Sequence, residues 1–210
     1  RDLVRSRGLG DVYKRQFKRR TYMSIKYILY NPLSGNGKGE ELSKKLTDIY
    51  KDEELKYCNM THITSYGKFF DSISPKSDII ICGGDGTLNR FINDSDGYPY
   101  ENPLYFYATG SGNDFMRDLG KEPGCKPIRI NEYVRELPIV TVNGKSSRFI
   151  NAVGYGIDGY CCEVGDELRA KSDKPINYTS IAIKGLLFRF RPANAVITVD
   201  GKEYSYKKVW

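Results

Sequence analysis

The 210-residue sequence predicts an α/β protein: a doubly wound domain built on a parallel sheet, followed by the start of an antiparallel β-domain. Three observations predict it. Short apolar runs alternate with helical patterns from residue 25 to residue 119. One of those runs, DIIIC at 78–82, is continuous in apolar residues rather than alternating, as strands buried on both faces of a parallel sheet are. Past residue 137 the pattern changes to paired strand-like runs around Asn143-Gly144 and Asp200-Gly201, dipeptides that two-residue hairpin turns favour.

The elements follow in order. IKYILY (25–30) reads as a strand leading into a glycine-rich turn. From Glu40, the apolar positions Leu42, Leu46, Ile49 and Tyr50 fall on one helix face. YCNMTHI (57–63) reads as the second strand and GKFFDSI (67–73) as the second helix. After DIIIC, a helix opens at GTLNRFIN (86–93) through Leu88, Phe91 and Ile92. LYFYAT (104–109) is the fourth strand and NDFMRDL (113–119) the fourth helical segment. In such a topology, ligands sit beyond the carboxyl ends of the strands. Two hairpins then flank a helix at 177–190. That helix is read as covering the β-unit. Lys184, Arg189 and Arg191 supply the rival reading of a membrane-surface helix. Because the chain stops at Trp210 directly after a strand, the second domain is expected to be incomplete. The expected organisation is a non-native tail over 1–22, a nucleotide-binding α/β domain over 23–136, and the start of a β-sandwich over 137–210.

Composition restricts function. With 40% hydrophobic and 28% charged residues, the chain is that of a soluble globular protein. No apolar run reaches the roughly 18–20 residues that span a bilayer, and no signal peptide is visible, so a cytoplasmic location is expected. Of the net charge of +7, +6 lies in residues 1–20, and the remainder is nearly neutral. The basicity belongs to a tail rather than a folded face, which argues against a nucleic-acid partner. Met23 opens MSIKYILYNP like a natural start, and the preceding residues lack apolar periodicity. Five cysteines (Cys58, Cys82, Cys125, Cys161 and Cys162) have no metal-ligand spacing and read as ordinary thiols. His62, the single histidine, reads as structural, in a strand.

Three strand-end loops carry the chemistry: NPLSGNGKG (31–39), GGDGTLN (83–89) and GSGND (110–114). Glycine lets backbone amides approach an anion and permits positive φ. Each following helix presents its N-terminal amides to the same place. Ser34, Thr87 and Ser111 can each add a hydroxyl donor. No loop fits the P-loop or the dinucleotide fingerprint, yet three at equivalent positions make a phosphate or nucleotide site. Within it, Asp85 opposes phosphate by like-charge repulsion. The carboxylate is explained if it positions Mg²⁺ or accepts a proton from an attacking hydroxyl. Helix capping is the structural alternative.

These residues resemble the nucleotide-loop motifs of the diacylglycerol kinase catalytic-domain family, in particular its soluble bacterial lipid kinases. NPLSGNGKG, GGDGTLNRFIN and GSGNDFMR carry the likeness. FINAVGYGIDGYCCE (149–163) and INYTSIAIKGLLFRFRPANAVITVDG look like the family's following segments. The resemblance implies an N-terminal domain like that of NAD kinases and phosphofructokinases, then a β-sandwich, with the nucleotide in the cleft between. It implies ATP contacts from Asn31, Pro32, Leu33, Ser34 and Gly35. Further ATP contacts are implied from Gly84, Asp85, Gly86, Thr87, Leu88, Asn89 and Arg90, and from Ser111, with Thr64 a further match. Asn113 and Asp114 would line the phosphate and acceptor side. Two positions depart from the family pattern: ATGSGND stands where Pro-x-Gly-Thr is frequent, and Arg90 where an acidic residue is common.

The expected function is therefore an ATP- and Mg²⁺-dependent kinase of diacylglycerol or a related lipid. Asp85 is the catalytic and metal candidate, and the family's other metal ligands and general base lie past Trp210. Acting alone, the chain is expected to transfer phosphate poorly. The expected partners are a lipid substrate met peripherally at the inner membrane surface and a second copy in a homodimer. An NAD kinase shares Gly-Gly-Asp-Gly-Thr, but NPLSG and GSGNDF count against it. A non-catalytic nucleotide- or phospholipid-binding regulator is the rival from another class.

Overall fold

The computed structural model of the chain describes residues 25–96, 101–110, 112–124, 126–171 and 176–209. The expected tail over 1–22, together with Ser111 and Cys125, lies outside the described residues. The chain divides into two compact units, Arg1–Asn151 and Ala152–Trp210.

The first unit is built on a five-stranded sheet. Its strands are β1 (Lys26–Tyr30), β2 (Leu55–Asn59), β3 (Asp78–Gly83), β4 (Leu104–Ala108) and the two-residue β5 (Ile128–Arg129), in the order β2-β1-β3-β4-β5. The first four run parallel and β5 is antiparallel. The register is level at the carboxyl ends: Tyr30 lies opposite Asn59 and Cys82, and Gly83 opposite Ala108. Order reverses between β1 and β3, so the loops that leave these two strands flank the switch point.

β3 explains the architecture. Its residues alternate between two cores, Ile79 and Ile81 on one face, Ile80 and Cys82 on the other. The first face is covered by three helices, α3 (Tyr66–Asp71), α4 (Asp85–Asp94) and α5 (Asp114–Asp118), through Tyr66, Phe70, Leu88, Phe91, Phe115 and Met116. The second is covered by α1 (Gly39–Lys44) and α2 (Leu46–Ile49), with Leu46 fully buried. Helices on both faces make the domain doubly wound, as expected.

The strand expected over 57–63 ends early. Asn59 accepts from the amide and hydroxyl of Thr61 at 2.9 and 2.8 Å, which turns the chain into a 3-10 helix over Met60–His62. His62 is therefore exposed on a turn rather than held in a strand. Ser65 then caps α3, accepting from the Lys68 amide.

The hairpin of β6 (Ile139–Val142) and β7 (Lys145–Arg148) turns at Asn143 and Gly144, with φ of 51° and 77°. Two positive φ angles are what a type I′ turn requires. The hairpin packs with the first unit. Asn93, on the last turn of α4, donates to the Arg148 carbonyl at 3.0 Å and accepts from its amide at 2.8 Å. Asp96 binds the Arg148 guanidinium at 2.9 Å. The sequence pattern thus changes at 137 while compactness divides the chain at 152, because these bonds join the hairpin to α4.

The second unit holds α7 (Ile157–Lys171), α8 (Tyr178–Lys184), a π-helical turn over Gly185–Arg189, and the antiparallel pair β8 (Ala193–Val199) and β9 (Lys202–Val209). A short α6 (Asn131–Val134) precedes the hairpin in the first unit. The β8–β9 turn repeats the device, with φ of 49° at Asp200 and 76° at Gly201. The helix expected over 177–190 changes to π geometry at Gly185, and the Phe190 amide donates to the Gly185 carbonyl at 2.7 Å. α7 was not expected as a helix. Among the described residues no helix is long and apolar enough to cross a membrane.

At the amino end of the sheet, Lys26 is 7% exposed. Its ammonium binds Asp78 and Glu53, the latter at 2.8 Å, and lies over the Tyr50 ring. Burial lowers the lysine pKa, but bonds to the two carboxylates outweigh it and leave the pKa raised. Removing one member of a buried pair strands the other charge, so Lys26→Ala is expected to cost about 3 kcal/mol in urea unfolding. A raised folded-state pKa contributes stability that is complete below the unfolded value of 10.5 and fades as pH rises through the folded value. Wild-type stability should therefore fall in that alkaline window, and Lys26→Met should lack this component of the fall.

Candidate functional site

The loops after β1, β3 and β4 share one edge of the sheet and are bonded to one another. In the first, the Asn31 side chain accepts from the Leu33 amide at 3.0 Å. The Asn31 carbonyl accepts from the Ser34 amide at 3.0 Å and the Ser34 hydroxyl at 2.8 Å. Gly35, Asn36 and Gly37 then take φ of 57°, 58° and 83°. A Cβ at Gly39 would stand 1.9 Å from the Asn31 carbonyl oxygen, so the return of the chain past Asn31 requires glycine there.

The second loop is the hub. Asn31 donates to the Thr87 hydroxyl at 3.1 Å, joining the first loop to it. Gly84 and Gly110 join the second to the third by backbone contact. A Cβ on Gly110 would lie 2.5 Å from the Gly84 Cα, and one on Gly84 would lie 3.1 Å from the Gly110 Cα. The first loop also meets the third, since a Cβ on Gly35 would lie 3.1 Å from the Thr109 carbonyl oxygen. Asp85 reaches across as well: its carboxylate accepts from the amides of Asp114 at 2.9 Å and Phe115 at 3.1 Å.

The structure thus brings together Asn31, Ser34, Gly35, Gly84, Asp85, Thr87, Asn113 and Asp114. Asp114 Oδ2 and Asp85 Oδ2 flank Gly112, at 3.8 and 3.4 Å from where its Cβ would stand. Pro32 and Leu33 lie in the first loop, with Leu33 exposed, and Gly86 is exposed at the start of α4. Three of the expected contact residues sit in ways that the motif by itself does not give. Leu88 is fully buried in the core, so only its backbone can face a ligand, and its amide is bonded to the Gly84 carbonyl. The Ser34 hydroxyl proton is committed to Asn31 and is not a spare donor. The Arg90 side chain is 76% exposed and turns along α4 to Asp94 at 3.2 Å. Thr64 is exposed after β2, beyond the carboxyl end of that strand. Tyr66 beside it has its pKa pushed up to about 12, first by burial and then by Asp94, with Arg90 opposing.

Sequence reasoning missed Thr109. Its hydroxyl oxygen, with Asn89 Oδ1 and Asn113 Oδ1, is buried with no hydrogen-bond partner among the described residues. Asn113 is 5% exposed and left-handed (φ 55°), and it donates to the Gly110 carbonyl at 2.7 Å. Buried polar atoms without partners are costly unless a ligand or water completes them. The two amide oxygens complement hydroxyl, amine or metal-bound water donors and the Thr109 hydroxyl either kind of partner, whereas the first turn of α4 leaves the Asp85 and Gly86 amides without intrahelical partners for an anion. Among the described residues no group of three His, Cys, Asp or Glu side chains could hold a metal alone. Two carboxylates, with phosphate oxygens and waters, are the usual Mg²⁺ arrangement. The residues present therefore fit a Mg²⁺-nucleotide.

The backbone contact at Gly84 and Gly110 predicts a contrast between two alanine variants. Gly110→Ala should cost about 2 kcal/mol or more in chemical unfolding, because backbone rather than a movable side chain opposes the new methyl. Gly86→Ala, where nothing lies within 4 Å, should unfold at close to the wild-type denaturant concentration.

Comparison with known proteins agrees with this geometry. Residues 26–142, more than half of the chain, match the model of the diacylglycerol kinase catalytic domain. The chain is 31% identical over 188 residues to the diacylglycerol kinase of Bacillus subtilis (strain 168), covering 83% of this chain and 59% of that protein. It is 26% identical over 170 residues to a Staphylococcus aureus (strain JH9) protein assigned as a lipid kinase, covering 79% of this chain and 50% of the other. The chain thus spans between half and three-fifths of these relatives' length. Its fold is similar to a crystal structure assigned to a diacylglycerol kinase from Bacillus anthracis str. Sterne, with TM-score 0.51, 20% identity, 87% of this chain and 61% of that chain covered. With the matched segment enclosing β1 to β6 and all three joined loops, the chain belongs to the diacylglycerol kinase catalytic domain family.

Proposed function

We propose that the chain supplies the nucleotide-binding part of an ATP- and Mg²⁺-dependent lipid kinase. It would serve transfer of the γ-phosphoryl group from ATP to the hydroxyl of diacylglycerol or a related lipid. The observation that carries this reading is the joined trio of loops at the carboxyl edge of the sheet, two of them flanking the switch point, each glycine-rich and each leading into a helix. The names of the curated relatives support the acceptor class.

Phosphoryl transfer needs positioning and charge neutralisation more than covalent help from the protein. The amides of Asp85 and Gly86, with the turn at Ser34–Gly37, would take the phosphates. The orphan amide oxygens of Asn89 and Asn113 would accept from nucleotide hydroxyl or amine groups or from ordered water, and the Thr109 hydroxyl could donate or accept there. Asp114, with the lone pairs that Asp85 has left, would hold Mg²⁺, which neutralises phosphate charge when bound. The lipid acceptor would be met at a membrane surface, on the cytoplasmic side.

Calorimetric titration of Mg·ATP into the chain should give saturable binding that is lost with EDTA. Asn31→Ala, which unties the first loop from Thr87, should weaken it about tenfold, the equivalent of one hydrogen bond. In a chain extended to the relatives' full length, labelled γ-phosphate should pass to dioleoylglycerol in mixed micelles. Transfer to NAD in place of lipid would make the protein an NAD kinase, and nucleotide binding without transfer to either would make it a regulator.

A further inference from the structure

Asp85 opens α4, yet its carboxylate serves another helix. Oδ2 accepts from the amide of Asp114 and Oδ1 from that of Phe115, 29 and 30 residues along the chain. These are the first two amides of α5. The residue at that helix's own cap position, Asn113, is left-handed and makes no side-chain cap bond. The capping role ordinarily filled by the residue just before a helix is therefore filled from a different loop. One amide on each oxygen fixes the plane of the carboxylate as well as its position. Beside it, Gly84 and Gly110 hold the same two segments at backbone distance.

We infer that Asp85 is a positioning residue. Its carboxylate ties the nucleotide loop (83–89) to the acceptor-side loop (110–114) through the first amides of α5. What the site requires of it is that geometry, and negative charge without the geometry does not suffice. The kinase reading supplies only the names of the two sides, while the tie is a property of the two loops. It sets the spacing between donor and acceptor groups, on which transfer depends steeply.

The test is amide hydrogen exchange in the full 210-residue chain, wild type beside Asp85→Asn and Asp85→Glu. Asparagine keeps the shape and replaces one acceptor by an NH₂ group. Glutamate keeps the charge and displaces it by one methylene. Both should speed exchange at Asp114 and Phe115 about tenfold or more, the loss of one charge-assisted bond, with Ile80 and Ile81 unchanged. Both should weaken Mg·ATP binding in parallel. Unchanged protection at Asp114 and Phe115 in Asp85→Asn would overturn the inference. So would Asp85→Glu binding Mg·ATP like wild type while those amides exchange fast, because charge alone would then suffice. Should a variant also lose protection at Ile80 and Ile81, it has unfolded, and the wild type decides. A scalar coupling across the hydrogen bond, between the Asp114 or Phe115 nitrogen and the Asp85 carboxyl carbon, is expected, and its absence overturns the tie. A wild type that binds no Mg·ATP would sink the kinase reading, while exchange and coupling would still decide the tie.

Discussion

No side chain fits between Gly84 and Gly110. Their backbones approach so closely that a methyl on Gly110 would meet the Gly84 Cα at 2.5 Å, and the rest of the site follows from that approach. It brings the end of β3 against the end of β4 above the sheet, beyond the reach of ladder hydrogen bonds. With the backbones in contact, Asp85 can span from one loop to the amides of the next. Asn31 reaches Thr87 from the other side. A glycine-rich loop is usually discussed for what it lets a ligand do; here two of the glycines are needed first for what they let each other do.

Beneath the loops, the sheet is anchored by a strand that serves both cores. Ile79 and Ile81 pack under α3, α4 and α5, while Ile80 and Cys82 pack under α1 and α2. Burial on both faces forbids a register slip, since a shift of one residue would exchange the two sets. That rigidity keeps the carboxyl ends of β1, β3 and β4 level and hands the loops a common floor. At the far end of α4, Asn93 supplies the Arg148 backbone with the pair of bonds that a neighbouring strand would have made. The helix that opens at the hub is therefore held at both ends.

Much of this was legible in the residues. The apolar runs located β1, β3 and β4, and Asn143-Gly144 and Asp200-Gly201 located two turns whose positive φ angles explain the dipeptides. α7 was not legible, and the reason is physical. Gly159, Gly165 and two adjacent cysteines interrupt any apolar stripe, and a Cβ on Gly165 would stand 2.7 Å from the Tyr178 ring of α8. Gly185 stands in the same relation to Tyr160. These are contacts between distant residues, which periodicity does not record. β5, at two residues, is too short to carry a pattern. In the site, the loops and their carboxylate were visible, but the partners of Asp85 were not, since nothing local to GGDGT points to amides 29 residues away. Leu88 shows the converse: within a ligand-loop motif, a side chain can face the core while its backbone stays in the loop.

The borrowed cap on α5 bears on how stable that segment is by itself. A helix of five residues cannot sustain itself in water, because the cost of initiating it exceeds what so few hydrogen bonds return. In the folded chain α5 is supported by the pairing of β3 and β4, which places Asp85 at its first amides. With so few bonds of its own, that segment takes its local stability from the tie. An occupant bridging these loops would favour the tied form, so its affinity and the local stability of α5 are linked.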